Sequence, residues 1–141
     1  MTPGCQRNGS WQPPVAARAA ASSLFAGVIP NLSAVADDYR VNVDVLDEEI
    51  YRMFCEHMRE SLGGLATALA AGDETATRGH AHSFEGMGGT MGFPEISAVG
   101  VALSRSARAG DWQVCRAIHE RLAQWLQVAE ATGQTGCLDH E

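Results

Sequence analysis

Lysine is absent from this 141-residue chain: all ten of its basic residues are arginine. That excludes any mechanism built on a lysine amine, such as a P-loop or a Schiff base. Aromatic residues are scarce at 6%, while Ala and Gly are plentiful, which argues against a β-sandwich or barrel. No apolar run approaches the roughly 18 residues that a membrane span needs. Positive charge is in deficit, and a formal net charge of -7 disfavours nucleic acid and anionic membrane as partners, because both select clustered basic side chains. The four cysteines, Cys5, Cys55, Cys115 and Cys137, form no CxxC pair, and the central two fall on apolar helix faces. They read as small hydrophobes in a reducing, cytoplasmic setting. What remains is the length of one ordinary domain, enough to bury a core without metal or disulfide staples.

Residues 1 to 14 are rich in Pro, Gly and polar side chains and predict a poorly ordered tail. Residues 15 to 29 predict a helix that stops before Pro30. Arg7 and Arg18 ahead of this stretch and Ala34-Val35-Ala36 after it outline a secretory signal. The apolar stretch is short, however, is interrupted by Ser22 and Ser23, and follows a long leading region. The organisation expected is therefore an N-terminal tail with a possible short helix over 1–40, a bundle over 41–132 and a C-terminal tail over 133–141.

Four helical segments follow. Asp44 or Asp47 can cap the first, and Asp47, Glu48 and Glu49 suit its positive end. Its face is Ile50, Phe54, Met58, Leu62, Leu65 and Leu69, at steps of four and three. Ala71-Gly72 stops it, and Asp73 caps a second helix running to about Met91, with Ala76, His80, Phe84, Met87 and Met91 as its apolar stripe. Gly92 ends that helix and Pro94 opens a third, which carries Ile96, Val99, Leu103 and Ala107. After Ala109-Gly110, Asp111 caps a fourth, with Cys115, Ile118, Leu122, Trp125 or Leu126, and Ala129 inward. The short connections make consecutive helices antiparallel neighbours. The expected fold is all-α: an up-down-up-down four-helix bundle with an extra N-terminal helical or disordered segment.

The segment that bundle packing leaves unexplained is Arg78 to Phe93, RGHAHSFEGMGGTMGF. At about 100° per residue, His82 lies about 200° round the helix from both His80 and Phe84, so it points away from the core. Its surface neighbours are Arg78, Gly79, Glu85 and Gly86, with Gly89 one turn further on. Each glycine inside a helix costs about 0.5–1 kcal/mol relative to alanine. Several of them around one exposed imidazole suit a partner that must approach closely. A largely neutral imidazole is a nucleophile, and one on an open surface needs the rest of its active site from another protein.

His82-Ser83-Phe84-Glu85-Gly86, followed by Met91-Gly92, resembles the histidine phosphotransfer (HPt) domain of phosphorelays. The likeness extends from about Asp44 to Ala131, and does not cover residues 1 to 40. It implies that His82 accepts a phosphoryl group from a receiver-domain phosphoaspartate and passes it to the aspartate of another receiver. The receiver supplies Mg²⁺, and this chain binds no cofactor of its own. Gly79, Gly86 and Gly89 are then the docking surface. The resemblance also implies a role for Ser104 on the third helix, at a position where family members often carry a polar residue that can orient a ring nitrogen. One position departs from the family pattern: Glu85 stands where Lys is usual, and a carboxylate there repels phosphate. Arg78 and Arg108 are the compensating charges.

The implied partners are response-regulator receivers and a hybrid sensor kinase, with the chain itself a monomer and a phosphohistidine carrier. The sequence holds no ATP-binding region of a kinase, so autonomous kinase activity is not expected. A helical adaptor that docks on a receiver or kinase without being phosphorylated is the alternative, and a metal-binding or secreted bundle is a third. Metal binding is disfavoured because the side chains of His80 and His82 diverge on a helix. Cys55, His57 and His119 are accounted for as core or solvated positions.

Overall fold

The computed structural model describes residues 13–39 and 47–138, with side chains through residue 131. Asp44, Cys5, Arg7, His140, the Cys137 side chain and residues 1–12 of the tail expected over 1–14 lie outside the described residues. Six α-helices are present among those described, with no strand: α1 Val15–Ala26, α2 Leu32–Asp37, α3 Glu48–Ala71, α4 Glu74–Gly88, α5 Pro94–Arg108 and α6 Trp112–Leu138. A single 3-10 turn, Gly89–Met91, follows α4. None of the described helices is long and apolar enough to cross a membrane.

Each bundle helix begins and ends where side-chain chemistry allows. Asp47, Asp73 and Asp111 accept hydrogen bonds from the backbone N–H groups of Ile50, Ala76 and Val114 at 2.8, 3.0 and 3.3 Å. These bonds satisfy amides that the first helical turn leaves free. Gly72 and Gly92 adopt φ of 64° and 89°, the left-handed conformation that ends α3 and the 3-10 turn. Pro94 occupies the first turn of α5.

Three contacts establish the antiparallel arrangement. His80 of α4 lies against Gly64 of α3, and Gly100 of α5 lies against Ala81 and Glu85 of α4. The Tyr51 hydroxyl of α3 donates to the Ala129 carbonyl of α6 at 3.1 Å. The result is the up-down-up-down bundle expected, made by α3 to α6. Its centre is an aromatic cluster in which Phe93 packs edge-on against Trp125 at 5.1 Å and stacks on Phe54 at 6.0 Å.

The N-terminal segment is part of this core. Ala17, Ala21 and Phe25 of α1 are buried against α5 and α6, and Trp125 Nε1 donates to the Ala17 carbonyl at 2.9 Å. Leu32 and Ala36 of α2 are buried on the α5 side. Of the apolar residues that outline a secretory signal in the sequence, Ala17, Ala21, Phe25, Ile29 and Ala36 are buried in this core, while Val15 and Ala34 are exposed.

Several inward faces differ from expectation. In α3, Tyr51 is buried while Ile50 is 40% exposed. In α4 the buried residues are Thr77, Ala81, Phe84 and Gly88, so Ala76, His80 and Met87 flank the contact line and are half-buried. At Ala81 and Gly88 the reason is close approach of the α4 backbone to that of α5, at Gly100 and Ser97, where only small residues fit. His119, read as solvated, is half-buried and places Nε2 3.2 Å from the Leu62 carbonyl of α3. Helix α6 continues to Leu138, past the boundary expected at 132, because glycine weakens a helix without ending it. Cys55 and Cys115 are buried, free thiols.

Candidate functional site

His82 sits near the middle of α4 with an exposed side chain, one position on from buried Ala81. Three residues before it and four after it stand Gly79 and Gly86. A Cβ built at either glycine meets no atom within 4 Å, so the imidazole rises from an unobstructed helix surface. Thr77 and Phe84 are fully buried on the opposite side and fix the rotation of the helix.

The turn that follows is held from two directions. Ser97 of α5 is fully buried; its Oγ donates to the Glu85 carbonyl at 2.7 Å and accepts from the Gly89 N–H at 2.9 Å. From the other side, Tyr39, just past α2, donates its phenol to Glu85 Oε2 at 2.6 Å. That hydrogen bond, with partial burial and the charges of Glu85 and Asp38, pushes the Tyr39 phenol up to about 12, while Arg105 acts the other way. The phenol therefore remains a protonated donor at neutral pH.

The structure distributes the remaining sequence-derived positions unevenly. Arg78 is exposed and pairs with Glu74 one turn earlier, at 3.5 Å. Ser104 is half-buried one turn beyond Gly100 and makes no hydrogen bond to His82 among the described residues. Arg108, the exposed last residue of α5, forms no ion pair among the described residues. Arg105 of α5 is the cation whose charge opposes the rise at the Tyr39 phenol. Gly89 is a correction: it is buried under the Tyr39 carbonyl oxygen, where a Cβ would overlap it, and belongs to no open surface. Its position in the 3-10 turn, outside the regular helix, brings it under the chain leaving α2.

Tyr39, Ser97 and Arg105 are the residues that sequence reasoning missed. Tyr39 is 46 positions from Glu85 and carries no motif. Ser97 lies in an otherwise apolar helix face, which is the one signal available, since a hydroxyl buried there needs partners. His80 and His82 diverge as expected, His80 lying against Gly64 and His82 facing solvent.

This arrangement offers an exposed imidazole on α4, flanked by bare backbone, with a hydrogen-bonded carboxylate one turn away. It can accept and release a small group when a partner surface closes over it. A family model described as the Hpt domain matches residues 49–132. No curated protein and no solved structure matches the chain.

Proposed function

The chain belongs to the Hpt domain family, the phosphohistidine carriers of two-component signalling, and we propose that within it His82 is the phosphoacceptor, relaying a phosphoryl group between receiver-domain aspartates. The observation that carries this reading is the open surface on both sides of His82, where Gly79 and Gly86 leave a receiver free to approach. In the forward step an unprotonated ring nitrogen attacks the phosphorus of the receiver's phosphoaspartate. The N–P bond forms as the P–O bond breaks, and the aspartate carboxylate leaves with the bonding electrons. The second receiver reverses this, its carboxylate oxygen displacing the imidazole. Charge on the transferring group would be stabilised by Mg²⁺ held in the receiver, with Arg78 the arginine of α4 one turn from His82 among the described residues.

The test is incubation of the protein with a phosphorylated receiver and Mg²⁺. Acid-labile, alkali-stable label is expected on the wild-type chain and absent in His82→Gln. Label that persists in His82→Gln, or none on the wild type with a competent donor, overturns the assignment. The absence of Lys at position 85 is the observation behind the adaptor alternative, and stable receiver binding without label would decide for it.

A further inference from the structure

Tyr39 is seated at two points, one on α4 and one on the 3-10 turn that follows it. Its carbonyl oxygen lies directly over Gly89, leaving no room for a Cβ. Its phenol reaches back one turn to Glu85 Oε2 at 2.6 Å. The backbone seat fixes where the ring starts and the hydrogen bond fixes where it ends. Glu85 in turn is three residues from His82, so on a helix their side chains are neighbours. A carboxylate free to rotate can bring its charge beside whatever the imidazole carries.

We propose that Tyr39 is a positioning residue for the phosphotransfer site, holding the Glu85 carboxylate towards α2 and away from the face on which His82 is phosphorylated. The proposal rests on His82 being the phosphoacceptor. The charged groups around the pair are Asp38 beside Tyr39, Arg105 from α5, and Arg78 before His82 on α4, already paired with Glu74. None of the hydrogen bonds or ion pairs among the described residues provides Glu85 with another side-chain partner, so the phenol is its restraint. Tyr39 exchanges no atom in the chemistry. When phosphohistidine hydrolyses, the N–P bond breaks, water supplies the oxygen that phosphorus gains, and its proton returns to the ring nitrogen. Releasing the Glu85 carboxylate raises the energy of the phosphorylated state by like-charge repulsion and shortens its life.

Two measurements on Tyr39→Phe, Glu85→Gln and the double variant test this, with thermal melts confirming that each folds. The first is the half-life of phosphohistidine. Tyr39→Phe is expected to shorten it about two- to fivefold, the range of an exposed charge pair, and to have no effect once Glu85 is Gln. An unchanged half-life in Tyr39→Phe overturns the proposal. So does equal shortening in the Glu85→Gln background, which would mark a merely structural role. The second is the alkaline titration of tyrosine absorbance, which needs no phosphate. Tyr39 is expected to titrate near 12 in the wild type and lower in Glu85→Gln; an unchanged midpoint means that Glu85 is not held. Failure of the wild type to take label refutes the phosphoacceptor assignment on which this rests, while the titration still reports on the Tyr39–Glu85 bond separately.

Discussion

Gly100 of α5 lies on the backbone of α4 at Ala81: a Cβ on Gly100 would stand 2.5 Å from the Ala81 carbonyl oxygen and 2.6 Å from the Glu85 nitrogen. Backbone cannot swing aside as a flexible side chain does, so the helices must separate to admit a methyl group. Gly100→Ala is therefore expected to destabilise the fold by about 1–3 kcal/mol. Gly79 and Gly86 face open space, and alanine at either is expected to stabilise α4 by about 0.5–1 kcal/mol. Those two variants should nevertheless accept phosphate from a receiver more slowly, because the added methyl flanks His82. Urea denaturation and receiver-to-histidine transfer, measured together, check both signs.

Glu85→Lys replaces the carboxylate with a cation on the face His82 occupies. The phosphohistidine half-life is expected to lengthen, by about two- to fivefold for an exposed pair. Loss of label followed over time at constant pH measures it. An unchanged or shorter half-life would count against an electrostatic role for position 85.

The outward direction of His82 was legible because it depends on its angle to His80 and Phe84, of which Phe84 is buried as expected and His80 half-buried. The full inward face of α4 was not. Ala81 and Gly88 carry too little apolar surface to stand out in a hydrophobic pattern, yet they are buried because backbones meet there. The same blindness put Gly89 on the surface: a glycine demanded by an approaching carbonyl looks like one that clears space for a partner. Tyr39 was out of reach for another reason. Its contact with Glu85 depends on how α2 docks on α5, and no local spacing encodes a bond between residues 46 apart. By contrast, the caps at Asp47, Asp73 and Asp111 are local chemistry, and all three are formed.

Alkaline pH should expose the buried acids of the core. Burial pushes the Cys55 thiol from 9.0 up to about 11, and burial likewise raises Cys115 and Tyr51. Each group is neutral when folded and ionises more readily when unfolded, so the unfolded chain loses its proton first as pH rises. For Cys55 the contribution to stability is complete below pH 9 and is lost between 9 and about 11. The urea midpoint should hold steady from pH 7 to 8.5, then fall by the equivalent of roughly 1–3 kcal/mol. Cys55→Ala, less stable at pH 7, should lose less over the same alkaline interval.

Phe25 decides whether the N-terminal helix belongs to the cooperative unit. It is fully buried, with α1 docked on α5 and α6, and the Trp125 indole bonded to the Ala17 carbonyl secures the same interface. Removing the ring leaves a cavity that the fixed bundle helices cannot collapse to fill. Phe25→Ala is expected to cost about 3–5 kcal/mol. Because α1 and α2 bring Tyr39 to Glu85, a loosened α1 should also shorten the phosphohistidine half-life, in the same direction as Tyr39→Phe. A single denaturation transition shifted by that amount is the expected result. A transition at the wild-type midpoint would mean instead that residues 15–39 lie on the bundle without sharing its stability.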